Sequence, residues 1–351
     1  MTDHHHAVLE ASARVAMTKV PAVSAVIPTY NRGHLLKNAI DSILAQTYPV
    51  HEIIIVDDGS TDGTGEMIQN YINERSAAAS QIRYFYQKNQ GQSVAYNKGL
   101  ERANGEWIAF QNSDDVWLPE KLELQFRALE HFKMRCGACF SDGQFVNHPT
   151  ARMTIFQLAR KRYGETMGVV SDAFRYMMKL AVPVWVQTLI ARADLVRRAG
   201  AFDPKVRFGE DLDFLLRLSR LTDLCFVNQP LVNIDRTPPS ARRDKGNKPW
   251  VNLDFRLQNE QYRWEKWLLV SEELPPDIRK AVLERMRAVH SRWADWYLEN
   301  RQYEKAREAL SRAAQYGLTS KMVVKWALTQ IVPQLARQIL LTRARLNPPF
   351  L

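Results

Sequence analysis

The sequence predicts an α/β fold: a mostly parallel central sheet flanked by helices, followed by an α-helical C-terminal region. Three observations carry this. From residue 23 to about 117, short apolar runs alternate with stretches whose apolar residues recur at helical spacing. One run, Ile53 to Val56, is continuously apolar, as strands buried on both faces are. Beyond residue 250 only helical patterning remains. Alternating strands and helices build βαβ units, and those place their strands in parallel.

Taken in order, residues 1–21 show no periodicity, no secretory h-region and no cleavage pattern, and read as a flexible lead-in. "VSAVIPTYN" (23–31) is the first strand, and "HLLKNAIDSILAQT" the first helix, with Leu35, Leu36, Ala39, Ile40, Ile43 and Leu44 on one side. "EIIIVDDGSTDGT" is a strand running into a turn, followed by the helix "GEMIQNYINER". "IRYFYQK", "QSVAYNKGLERA" and "GEWIAFQNSDD" repeat the strand–helix–strand pattern. The pattern loosens from about residue 150. "WVQTLIARADLVRRAGAFDP" reads as a strand and a short helix, "FGEDLDFLLRLSRL" as an amphipathic helix, and "DLCFVNQPLVNIDR" as a strand. Residues 237–249 are expected to form a mobile basic loop, and 250–351 a helical region. Within that region, 290–318 is patterned like a single tetratricopeptide-type hairpin, which must dock on a neighbour to bury its apolar face.

In parallel sheets, ligands lie beyond the carboxyl ends of the strands. Three strands here end in polar clusters: Thr29-Tyr30-Asn31-Arg32, Asp57-Asp58-Gly59-Ser60 and Asn112-Ser113-Asp114-Asp115. The topology therefore brings them to one rim. Adjacent carboxylates such as Asp114 and Asp115 suit a hard divalent cation, which takes one or two protein carboxylates and completes its shell with water and phosphate oxygens. An ordinary helix cap before "WLPEKL" is the alternative reading. Glu210-Asp211 opens a helix, where acids complement the dipole; either could also serve as a general base.

Other chemistries lack their signatures. Neither a G-x-G-x-x-G turn after the first strand nor a phosphate-binding P-loop is present, and G-x-S-x-G is missing. The three cysteines, Cys136, Cys139 and Cys225, are too few for a disulfide framework, which fits a reducing, cytoplasmic setting. Cys136-Gly-Ala-Cys139 lies in an apolar run and reads as buried strand. The net charge of +10 favours anionic partners, yet the basic residues are scattered over helix faces, so no nucleic-acid partner is expected.

Four segments together carry a resemblance: "VSAVIPTYNRGHLLKNAIDSILAQTYP", "EIIIVDDGSTDGT", "NQGQSVAYNKGLERANGEWIAFQNSDDVWLPEKL" and "GAFDPKVRFGEDLDFLLRL". In this order they resemble family 2 glycosyltransferases of the inverting, Rossmann-like GT-A fold, over residues 22–236. The resemblance implies a nucleotide-sugar donor, a UDP-sugar in the first instance, a Mg²⁺ or Mn²⁺ ion, and transfer to a saccharide or lipid-linked acceptor in bacterial-type cell-surface polysaccharide or glycoconjugate synthesis. It places Pro28, Thr29, Tyr30 and Arg32 around the nucleotide, with Asp57 and Asp58 at the base and ribose. Gln92 and Asn97 join the donor site. Asp114 and Asp115 stand at the ribose and the metal–diphosphate, with Asp211 as base and Glu210 as its substitute. Many relatives carry Asp where Asn112 stands and Arg where Tyr96 stands. The competing reading is a non-catalytic module that binds sugar nucleotides at the membrane.

From Ala309 to Leu351 there is no Asp or Glu, while Arg312, Lys321, Lys325, Arg337, Arg343 and Arg345 are interleaved with apolar residues and Trp326. Such basic amphipathic segments lie in anionic membrane interfaces. Packing on the protein, or against a second copy as a homodimer, is the alternative.

Overall fold

The structure is a computed structural model describing residues 20–75, 81–147, 153–179, 184–235 and 252–331. The expected loop at 237–249, nearly all of the lead-in, and the tail beyond residue 331 lie outside the described residues.

Nine strands form one sheet: β1 (Val23–Thr29), β2 (Glu52–Asp57), β3 (Ile82–Tyr86), β4 (Trp107–Phe110), β5 (Val116–Trp117), β6 (Ala138–Val146), β7 (Met167–Val170), β8 (Leu189–Arg192) and β9 (Leu224–Asp235). Their order is β3-β2-β1-β4-β8-β6-β9-β5, with β7 also pairing β9. The first four strands in that order are parallel, as the βαβ pattern requires. Antiparallel pairing enters with β8, against both β4 and β6. β6 and β9 run parallel again, and β5 and β7 pair antiparallel to β9.

Helices α1 (Gly33–Leu44), α2 (Thr64–Glu74), α3 (Gln92–Arg102) and α4 (Lys121–His131) join the early strands. β1 and β2 are buried along their whole length, which explains why Ala25–Ile27 and Ile53–Val56 are continuously apolar. α3 presses close to that sheet at Gly99, where a Cβ would collide with Val26 Cγ1. Glycine is therefore fixed by packing rather than by backbone conformation.

The irregular middle contains α5 (Ile155–Leu158), α6 (Ala173–Lys179) and α7 (Ala193–Arg198), then α8 (Glu210–Ser219). α5 is only four residues long and α6 only seven, too short for the sequence to show a period. Cys136, Cys139 and Cys225 are buried free thiols on or beside the adjacent β6 and β9.

The C-terminal helices are α9 (Leu253–Leu269), α10 (Pro276–Glu299), α11 (Tyr303–Gln315) and α12 (Ser320–Ile331). α10 and α11 pack against each other as a helical hairpin. It docks on α9, where Trp293 Nε1 donates to Gln261 Oε1 at 2.9 Å, and on α6, where Lys179 pairs with Asp277. α6 meets α9 where Phe174 packs on Trp267 at 5.2 Å, with Arg220 over both rings. One continuous apolar cluster runs from Val23 in β1 to Met322 in α12.

Candidate active site

The carboxyl ends of β1, β2, β3 and β4 form the rim, and side chains there tie each loop to the next. Asn31 Oδ1 accepts the Thr61 N–H at 2.7 Å, and Asn31 N–H donates to Ser60 Oγ at 2.8 Å, joining the loops after β1 and β2. Arg32 caps α1, whose first N–H groups bond its carbonyl, and its Nη1 lies 2.7 Å from Asp114 Oδ2 in the loop after β4. Pro28 and Thr29 close β1, both buried, and Thr29 Oγ1 has no hydrogen-bond partner among the described residues. Tyr30 projects from the rim, 47% exposed, and Tyr86 at the end of β3 is 59% exposed.

Asp57 and Asp58 are loop anchors. Asp57 accepts the Ser60 N–H and the Tyr84 hydroxyl, each at 2.8 Å. Asp58 accepts Gln87 Nε2 at 2.7 Å and the Gln90 and Gly91 N–H groups at 2.8 Å. Gly91 opens α3, so the Asp58 charge sits at the positive end of that helix. Both carboxylates are buried and engaged with protein donors.

The two aspartates of "NSDD" diverge. Asp114 stays at the rim in its ion pair with Arg32. Asp115 is buried; its Oδ1 accepts the Asp235 N–H and its Oδ2 accepts Asn112 Nδ2, both at 3.0 Å. Burial, and then the neighbouring Asp114 charge, push the Asp115 carboxyl up to about 8. Asn112 is itself oriented: its Oδ1 lies 3.1 Å from the Tyr96 hydroxyl and 3.4 Å from Gln92 Nε2.

Tyr96 is the hinge of the arrangement. Its ring is buried, stacked on Phe202 at 4.7 Å, and its hydroxyl is within 3.2 Å of the Gln111 carbonyl. Burial raises its proton affinity most, and the Asp115, Glu210, Asp211 and Asp114 carboxylates raise it further. α3 itself bonds both segments: Tyr96 reaches Asn112 of "NSDD", and Ser93 Oγ donates to the Val206 carbonyl at 3.2 Å on the approach to "GED". Asn97, expected at the donor, holds the segment leading to "GED": its amide exchanges hydrogen bonds of 2.8 and 2.9 Å with the Phe202 peptide.

Glu210 and Asp211 form the first turn of α8, after Gly209 with φ +72°. Asp211 Oδ1 accepts the Leu212 N–H at 2.7 Å. Burial and the Asp211 charge push Glu210 up to about 7. Asp213 points into the interior, where it pairs with Arg217 at 2.8 Å and Lys266 at 2.8 Å. Sequence patterning could not show that α9 supplies Lys266 and the nearby Arg263, because neither sits in a motif.

Among the described residues, no three His, Cys, Asp or Glu side chains cluster closely enough to hold a metal by themselves. Asp114, a rim carboxylate among oxygen-bearing side chains, nevertheless fits a hard cation whose remaining ligands are water and phosphate oxygens.

A parallel sheet with acidic loops at its carboxyl rim, continued by antiparallel strands and an acid-headed helix, defines a GT-A glycosyltransferase domain. Residues 24–182 match the model of glycosyl transferase family 2. TuaG of Bacillus subtilis, named for teichuronic acid biosynthesis, is 42% identical over 123 residues, 34% of this chain and 45% of that protein. The chain covers 64%, 48% and 45% of three curated relatives, so it spans about half the length of such proteins. Staphylococcus aureus TarS 1–349, solved with UDP-GlcNAc, superposes with a TM-score of 0.64 at 17% identity, over 93% of this chain and 92% of that one. The mannosyltransferase PcManGT of Pyrobaculum calidifontis, solved with GDP-Man and Mn²⁺, gives 0.56 at 21% identity, over 94% and 86%. At these identities the structural likeness is one of fold.

Proposed function

We propose that the protein is an inverting glycosyltransferase that moves a sugar from a nucleotide-diphosphate donor, a UDP-sugar, to a hydroxyl of a cell-surface saccharide or lipid-linked acceptor. The observation that carries this reading is that α3 holds both acidic segments: Tyr96 lies 3.1 Å from Asn112 of "NSDD", and Asn97 bonds Phe202 on the approach to "GED". Displacement with inversion needs a carboxylate on the acceptor side and charge neutralisation on the leaving diphosphate.

In this reading Tyr30 and Arg32 flank the nucleotide, with Pro28 and Thr29 forming its floor. Asp57 and Asp58 act through the loops they hold, including the Gln87–Gly91 segment that leads to Gln92. Asp114 would hold a Mg²⁺ or Mn²⁺ ion, which when bound neutralises charge on the departing diphosphate. Asp115 and Asn112 hold Asp114's loop in place. Asp211 takes the proton of the acceptor hydroxyl as the new bond forms. Glu210, held near neutrality, is the second candidate for that step, since a base is most effective with a pKa near the working pH.

Among the described residues no helix is long and apolar enough to cross a membrane. Contact with a membrane-held acceptor is proposed through α12, whose Val323, Val324, Trp326 and Ile331 are exposed, and through the basic sequence that follows it.

A screen of UDP-, GDP- and dTDP-sugars with and without Mn²⁺, on wild type and Asp211→Asn, tests the reading. Metal-stimulated turnover of one donor, reduced by about 10²–10⁴ in Asp211→Asn with donor binding retained, supports it. Donor binding without turnover in wild type would instead identify a sugar-nucleotide-binding module.

A further inference from the structure

Arg263 reaches from α9 to the backbone that opens α8. Its Nη1 donates to the carbonyls of Phe208 at 3.4 Å and Gly209 at 3.2 Å. Gly209 is in the left-handed region, and a Cβ there would collide with the same guanidinium, so this placement of Arg263 requires glycine at 209. The Arg263 side chain is 6% exposed. A buried guanidinium needs compensating charge. Four carboxylates act on it: Glu260 from its own helix, and Asp211, Asp213 and Glu210 from α8.

These acids are not equivalent. Asp213 already has Lys266 and Arg217 as partners. Lys266 also binds Asp203 at 2.6 Å, and Asn259 Oδ1 accepts the Arg207 N–H at 2.6 Å. α9 therefore grips the approach to α8 at Asp203, Arg207 and Gly209, and it is Arg263 that bonds the Gly209 carbonyl, which also accepts the Asp213 N–H at 3.2 Å. Glu210 in turn is faced by Asp211 on its own helix and by Arg263 on α9, with Tyr96 on α3 and Asp114 and Asp115 around the phenol.

We propose that Arg263 is a positioning residue for the Glu210–Asp211 pair, fixing the peptide that opens α8 and supplying the positive charge behind both carboxylates. The inference rests on the glycosyltransferase reading for the role of that pair. It makes the C-terminal helical region part of the site, so that the catalytic unit extends past residue 236.

The test compares Arg263→Met, Arg263→Lys and Lys266→Met in the full chain, with three readouts. These are donor affinity, the pH dependence of kcat, and the titration midpoint of the Glu210 carboxyl by ¹³C NMR, assigned through Glu210→Gln. In Arg263→Met, donor affinity holds within about twofold while kcat falls roughly 10- to 100-fold, the loss expected when a reacting group is displaced slightly. The Glu210 midpoint and the acidic limb of the kcat profile rise by about one unit or more, because an opposite charge has gone. Arg263→Lys returns the midpoint toward wild type without restoring kcat fully, since the shorter, unforked lysine does not place its nitrogen where Arg263 Nη1 stands. Lys266→Met lowers the melting temperature and leaves the midpoint in place.

An unmoved Glu210 midpoint in folded Arg263→Met overturns the proposal, as does an equal shift in Lys266→Met. If Arg263→Met does not fold, Arg263→Lys decides: lowered kcat at an unmoved midpoint supports the proposal, and wild-type kcat overturns it. The NMR titration needs no substrate. Absence of turnover in wild type therefore sinks the glycosyltransferase reading alone, and an unmoved midpoint in Arg263→Met sinks this inference alone.

Discussion

Arg32 Nη1 stands 2.7 Å from Asp114 Oδ2, while Asp115, one residue on, turns inward to accept the Asp235 N–H at 3.0 Å. The first contact keeps a carboxylate at the rim between two loops. The second ties the end of β9 to the loop before β5, across a large stretch of chain. Adjacent aspartates have thus been given opposite surroundings.

That divergence separates their substitutions. Asp114→Asn removes the rim charge and should lower Mn²⁺ affinity at least tenfold, with turnover falling in step and unfolding little changed. Above pH 8, where the Asp115 carboxyl is ionised, Asp115→Asn keeps the rim charge but replaces one accepting oxygen with a donor. It should cost about 1–3 kcal/mol of stability, the penalty for a buried unsatisfied group. Calorimetric Mn²⁺ titration beside urea unfolding checks both. Loss of Mn²⁺ binding in Asp115→Asn with none in Asp114→Asn would reverse the assignment.

Lys121 opens α4 with its side chain fully buried, Nζ 2.9 Å from Gln125 Oε1 and 4.1 Å from the centre of the Trp117 ring. Desolvation pushes its pKa from 10.5 down to about 7. The folded state thus binds this proton less tightly than the unfolded chain. The resulting penalty is full below pH 7, fades as pH rises toward 10.5, and is gone above it. Lys121→Met should therefore be more stable than wild type by about 1–4 kcal/mol at and below neutrality, as for other buried charges replaced by apolar groups. The difference should shrink with rising pH. Unfolding midpoints of the two proteins at pH 6, 8 and 10 test it, and a gap independent of pH would refute it.

The sequence made the first half of this fold legible because its information is local. The continuous apolar run Ile53–Val56 is a buried strand, and it is. The three polar strand ends do meet at one rim, because parallel strands leave no other arrangement. Lys121 shows the limit: in "WLPEKL" it reads as a surface residue, and only the packing of α4 on the sheet buries it. Asn97 shows another. Its place in "AYNKG" gave no sign that its amide would be taken by the Phe202 peptide, because that contact depends on how distant segments pack. The grip of α9 on "GED" escaped for the same reason. Residues such as Asn259, Arg263 and Lys266 look like the polar face of an amphipathic helix until the helix is docked.

The C-terminal helices bear on the membrane proposal. α11 buries Ala306, Ala309, Leu310 and Ala313, so a truncation inside it would damage the hairpin rather than remove an anchor. α12 is attached more lightly: Met322 and Thr329 are buried, and Lys325 pairs with Asp295 on α10. Its outer side carries Val323, Val324 and Ile331, 46, 58 and 78% exposed, with Trp326 beside them at 44%. The sequence onward from Ala309 contains Arg and Lys but no acid, so approach to an anionic surface meets no opposing charge. Val324→Glu with Trp326→Glu leaves Met322, Thr329 and Lys325 intact and introduces two charges on that exposed side. The double variant should keep its melting temperature and lose most co-flotation with vesicles containing anionic lipid, whereas neutral vesicles should bind either protein weakly. Flotation of the double variant equal to wild type on anionic vesicles would rule out this face as the point of contact.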